Sequence, residues 1–80
     1  MSPQPPRMVV ESLGGLGFSA KTRGHEAILD QPLEDGGEDR GMTPSEFFIA
    51  SLGACIGVYI AIFCQRHKIP YKGMKIEKRR

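Results

Sequence analysis

Eighty residues allow one small domain, and a chain of this size buries only about 60% of the surface its unfolded form exposes, which excludes a large self-contained enzyme. A composition of 40% hydrophobic, 25% charged and 8% aromatic residues excludes disorder and collagen-like repeats, and two cysteines are too few for a disulfide-rich scaffold. The formal net charge of +2 is too small to argue for nucleic acid as a partner.

That average conceals a division. Residues 1–46 hold four basic side chains (Arg7, Lys21, Arg23, Arg40) against eight acidic ones, a balance of −4. Residues 47–80 hold seven basic side chains (Arg66, Lys68, Lys72, Lys75, Lys78, Arg79, Arg80) against Glu77, a balance of +6. The two halves should attract each other, or their counterparts in a second chain. A basic tail alone also fits RNA or anionic lipid, but no aromatic-rich surface accompanies these charges, so no nucleic-acid role is read from them.

The chain opens on MSPQPPR, three prolines in seven residues without a periodic pattern, which predicts a flexible leader over residues 1–7 and, lacking an apolar core, no signal peptide. Three short β candidates follow: Met8 to Leu13, Gly17 to Thr22 and His25 to Asp30. Gly14-Gly15 and Arg23-Gly24 fall at the breaks, as tight hairpin turns require, so the stretch reads as an antiparallel meander. Pro32 to Met42 is a loop rich in glycine and acid. Thr43-Pro44-Ser45-Glu46 is a helix start: Thr43 and Glu46 can exchange hydrogen bonds as a capping box, and proline suits the first helical position. The helix should run to about Lys68, with cations in its last turn and Pro70 beyond. Tyr71 to Arg79 alternates in the manner of a strand whose inner face is Met74 and Ile76. The expected class is α+β.

Phe47 to Cys64 contains no ionisable carboxylate or base over 18 residues, the lower limit for a membrane span. The acidic side before it, the basic side after it and the Gly53/Gly57 pair all suit a membrane anchor. Ser51, the two glycines, the strand-like sequence before it and the lack of tryptophan at its ends favour instead a helix buried on all sides in a soluble protein. Such a helix needs covering on more than one face, and three short strands and one weak one cannot supply the surface. A second copy of the chain, a further C-terminal half or a bilayer must do so.

Cys55 and Cys64 stand nine residues apart on this helix, half a turn out of phase and about 13.5 Å apart in height, too far to pair within one chain. Cys55 lies among Gly53, Ala54 and Gly57, which leaves its sulfur reachable; Cys64 follows Ile62 and Phe63 and suits packing. Spacing alone is equally met by two small buried hydrophobes. No Ser/His/Asp arrangement and no phosphate-binding loop is present, neither His25 nor His67 has a metal co-ligand near it in sequence, and no cofactor is implied.

The run from Arg23-Gly24-His25 through Asp30-Gln31-Pro32 and Gly36-Gly37 to TPSEFFIASLGAC, ending at Cys55, resembles the OsmC/Ohr family, the osmotically inducible protein C and organic hydroperoxide resistance proteins. The likeness extends from about Gly17 to Lys78 and is nearer the OsmC-like branch. It implies an intertwined α+β homodimer with long central helices between sheets from both subunits, which is the cover the apolar helix needs. It implies cytoplasmic, thiol-dependent reduction of organic hydroperoxides in the response to oxidative stress. Cys55 would be the attacking thiolate, Arg23 the arginine that stabilises it and Glu46 an accessory carboxylate, with a dithiol as reductant. Glu46 departs from the peroxidase pattern, in which the glutamate directly follows the proline; here Ser45 does, and the capping box already accounts for Glu46. Family members are about twice as long and carry a resolving cysteine beyond the position of Arg80. The chain therefore reads as the N-terminal part of such a domain, with a non-catalytic dimerisation module as the alternative function.

Overall fold

The structure, a computed structural model, describes residues 7–78. The expected leader lies outside them except for Arg7. The chain divides into two compact units, residues 1–47 and 48–80.

The first unit is built on a three-stranded antiparallel sheet, β1 (Val9–Gly14), β2 (Gly17–Thr22) and β3 (His25–Leu29), in the order β1-β2-β3. All three strands fall where the sequence places them, shifted by one residue at most. The register pairs Val10 with Ala20 and Ala20 with Ala27, and likewise Phe18 with Leu29, so these apolar side chains share one face. The turn joining β2 to β3 has positive φ at both central residues, 51° at Arg23 and 81° at Gly24. Two left-handed residues give a two-residue turn whose twist matches that of the strands, and this is the role of the Arg-Gly pair.

Residues 30–42 are more ordered than a plain acidic linker. The Asp30 amide donates to the Met42 carbonyl at 3.1 Å, Asp39 N–H to Gln31 O at 3.0 Å, and Gly37 N–H to Pro32 O at 3.0 Å, so the loop closes on itself at both ends. A short 3-10 turn occupies Leu33–Asp35 within it. Two glycines here are steric necessities, because a Cβ at Gly37 would collide with the Gln31 carbonyl and one at Gly41 with the Ile28 carbonyl.

The helix α1 spans Pro44–Arg66. Its capping box forms as the sequence predicts: the Glu46 amide donates to Thr43 Oγ1 at 3.1 Å and the Thr43 amide to Glu46 Oε1 at 3.0 Å. At the other end Ile69 N–H reaches Cys64 O at 2.8 Å and Lys68 N–H reaches Gln65 O at 3.3 Å, a Schellman closure with Lys68 at φ 53°. A lysine in that left-handed position is strained relative to glycine. Lys68→Gly is expected to stabilise the protein by up to about 1 kcal/mol in urea unfolding; an unchanged midpoint would show that the helix end frays.

Tyr71 to Lys78 runs on from α1 without joining a β-ladder among the described residues, in place of the strand expected over Tyr71 to Arg79. Its alternation persists in another use. Met74 and Ile76 turn toward the small residues of α1, where a Cβ at Gly57 would stand 3.3 Å from Ile76 Cδ1 and 3.6 Å from Met74 Sδ. The Gly53/Gly57 pair thus lets this segment approach the helix closely.

Among the described residues no apolar side chain is buried, and the side chains without appreciable exposure are Ser19 and Asp30. No residue of α1 is buried; Phe48 is 64% and Tyr59 75% exposed. The shortage of apolar cover argued from the sequence is therefore present in the fold: the described chain leaves α1 open on its flanks.

Candidate functional site

Cys55 is the second residue after Gly53 and lies near the middle of α1, exposed, with its thiol free. Like the rest of α1 it is left uncovered by the described chain. Ala54, Val58, Tyr59 and Ile62 surround it and line with it a shallow, open depression of about 390 Å³ whose wall is almost wholly apolar. These positions follow helical spacing, since residues one, three, four and seven positions away from Cys55 fall beside or just beyond it on the same side. The arrangement offers a reachable sulfur beside a surface suited to a hydrocarbon group.

Cys64 is half-buried and also free. It belongs to the last turns of α1, where the Phe63 and His67 rings stack at a centroid distance of 4.3 Å and the Cys64 carbonyl takes part in the helix closure. The two thiols accordingly differ in exposure as the sequence predicts.

Arg23 occupies the β2–β3 turn in the first unit, exposed, and makes no ion pair among the described residues. Its guanidinium also makes no side-chain hydrogen bond among the described residues. Glu46 is engaged at the helix start through Oε1, so its measurable work in this chain is capping. Arg23 and Glu46 belong to the unit of residues 1–47 and Cys55 to that of residues 48–80.

A second arginine, Arg40, is fully committed. Arg40 Nε donates to Asp30 Oδ2 at 2.6 Å, its amide approaches the same oxygen at 3.4 Å, and Nη2 donates to the Gly14 carbonyl at 3.2 Å while standing 3.5 Å from Glu38 Oε2. The guanidinium lies over Gly17, where a Cβ would collide with it. Asp30 Oδ1 takes the Gln31 amide at 2.7 Å. The hydrogen bond from Arg40 above all, with the Gln31 and Arg40 amides, holds the Asp30 carboxyl below its ordinary 3.8, and burial opposes this only in part. Arg40 thus ties the β1–β2 turn, the end of β3 and the acidic loop together.

α1 is long and apolar enough to cross a membrane, with a mean hydropathy of 2.3 over its best 18-residue window. The core helices of soluble proteins pass the same test when their own domain covers them.

The family model described as OsmC-like protein matches residues 36–79, more than half of the chain. The match takes in the glycine pair of the acidic loop, the capping box, all of α1 with Cys55, and the basic segment beyond it. The chain belongs to the OsmC-like protein family. No curated protein and no solved structure matches it. Proteins of this family are generally soluble, and a single apolar helix is weak evidence for a membrane span.

Proposed function

We propose that this chain is a cytoplasmic OsmC-like protein that reduces organic hydroperoxides through Cys55 as part of a homodimer. The observation that supports it is the exposed Cys55 thiol set in an apolar depression, which can seat the hydrocarbon part of a hydroperoxide with its O–O bond at the sulfur. The Cys55 thiolate attacks one peroxide oxygen as the O–O bond breaks, and the departing alkoxide takes a proton. The products are an alcohol and a sulfenic acid on Cys55. A reductant thiol then condenses with the sulfenic acid, releasing water, and a dithiol completes the exchange to return the free thiol. In this reading the family resemblance gives Arg23 the part of the guanidinium that stabilises the thiolate and Glu46 that of an accessory carboxylate.

A second reading has a specific observation in its favour. Glu46 is already used by the capping box and α1 is open on its flanks, which also suits a non-catalytic dimerisation module. The readings part on reactivity. For the peroxidase, iodoacetamide should modify Cys55 at least about tenfold faster than Cys64 near neutral pH, and cumene hydroperoxide should block that modification stoichiometrically. Equal, slow labelling of both thiols, with no loss of peroxide, would leave the dimerisation module.

A further inference from the structure

The depression around Cys55 holds one polar side chain to which the reaction above gives no part. Of its lining residues, Ala54, Val58 and Ile62 end in hydrocarbon, and the backbone amides of α1 beside them are engaged in the helix's own hydrogen bonds. Apart from the thiol itself, the hydroxyl of Tyr59 is therefore the one hydrogen-bond donor among the side chains of that wall. Tyr59 stands four residues after Cys55, so the two are neighbours one turn apart on the same side of α1, at the spacing that sets Cβ atoms about 5–6 Å apart. Side chains on a helix lean toward its N-terminus, which carries the Tyr59 ring back over the turn that bears Cys55. The ring is 75% exposed and makes no side-chain hydrogen bond and no ring contact among the described residues, so nothing there holds its hydroxyl away from a molecule seated at the sulfur.

We propose that Tyr59 is the proton donor to the leaving oxygen when Cys55 reduces a hydroperoxide. The assignment rests on the peroxidase reading above and adds to it the source of the proton. The Cys55 thiolate forms an S–O bond to the terminal peroxide oxygen, which keeps its hydrogen. The O–O bond breaks, and its electron pair departs on the oxygen that carries the hydrocarbon group. An alkoxide released against an apolar wall has lost much of the water that would stabilise it. The Tyr59 hydroxyl donates a hydrogen bond to that oxygen as its charge develops and passes its proton across, so that an alcohol leaves. The phenolate left on Tyr59 recovers a proton from the solvent to which the ring is open. The ring also forms part of the wall, so Tyr59 meets the substrate with an apolar body as well as a polar tip.

Tyr59→Phe keeps the ring and removes only the donor. In single-turnover oxidation of the full chain by cumene hydroperoxide, the second-order rate constant for loss of the Cys55 thiol should be at least about tenfold lower in the variant than in the parent. Perbenzoic acid releases a carboxylate, which needs no proton to depart, so with this oxidant the two proteins should react at rates within about twofold of each other. Alkylation of Cys55 by iodoacetamide expels iodide and should likewise be unchanged, which shows that the thiolate itself is intact. Damage to the fold or to the thiol would slow all three reactions together. A parent that consumes no hydroperoxide would overturn the peroxidase reading and the role of Tyr59 with it. An active parent matched by Tyr59→Phe with both oxidants, or a variant slowed equally with both, would overturn only the role of Tyr59 as proton donor.

Discussion

Removing the Asp30 carboxylate is expected to destabilise the β meander more than any other single polar change. Asp30 has no exposed side-chain surface and holds Arg40 Nε at 2.6 Å together with the Gln31 amide, so the substitution strands a guanidinium beside the Gly14 carbonyl and frees the loop that closes over β3. Removing one side of the pair costs more than replacing both, because Arg40, with 32% of its side chain exposed, then keeps only solvent and Glu38 at 3.5 Å against its charge. Asp30→Ala should lower the melting temperature by about 10 °C or more, and Arg40→Met by a comparable amount. Asp30→Ala/Arg40→Met should lose less than the two single losses added together.

The same pair fixes a pH dependence. The folded state holds the Asp30 carboxyl below its ordinary 3.8, so the pair's contribution is complete above that value and disappears as the pH falls through the lower, folded one. Melting temperatures from pH 7 down to pH 2 should fall more steeply below about pH 4 for the parent than for Asp30→Asn, with the two curves converging at the acid end. Parallel curves would mean that other carboxylates alone govern acid unfolding.

The local rules in the sequence proved sufficient for elements that need few neighbours. The capping box of Thr43 and Glu46, the left-handed turn at Arg23-Gly24 and the three strands follow from residues within a few positions of one another, and each forms as read. Two features were not legible for a common reason. The Asp30–Arg40 pair joins positions ten apart across an irregular loop, where no periodicity announces a contact. The segment Tyr71 to Lys78 has a strand's alternation, but alternation specifies only that one side is apolar, and here α1 rather than a neighbouring strand receives Met74 and Ile76. Of the candidate site, the difference between Cys55 and Cys64 was readable from the small residues around Cys55, because side-chain volume on a helix directly sets exposure. The balance between cap and active-site carboxylate at Glu46 was readable only as two uses of one residue, and the geometry favours the cap.

Cys55→Ser is expected to abolish hydroperoxide consumption, leaving no more than about one thousandth of the parent rate, whereas Cys64→Ser should keep most of it. A hydroxyl at position 55 is not ionised near neutral pH and cannot form a sulfenic acid, so the loss is chemical rather than steric. The exchange of sulfur for oxygen on an exposed helical surface should leave the melting temperature within a few degrees. Arg23→Gly then tests what surrounds the thiol. Arg23 sits at φ 51°, where glycine is better suited, so this variant should be slightly more stable than the parent while reducing peroxide at a rate lower by about tenfold or more, the loss confined to the thiolate-dependent step. Arg23→Lys retains a cation but not the planar fork, and should recover part of the rate without the gain in stability. Activity that falls while stability rises cannot come from damage to the fold. If Arg23→Gly instead keeps the full rate, the turn is only a turn, and the cation for Cys55 must come from the basic segment after α1, where Lys72, Lys75 and Lys78 become the next substitutions to make.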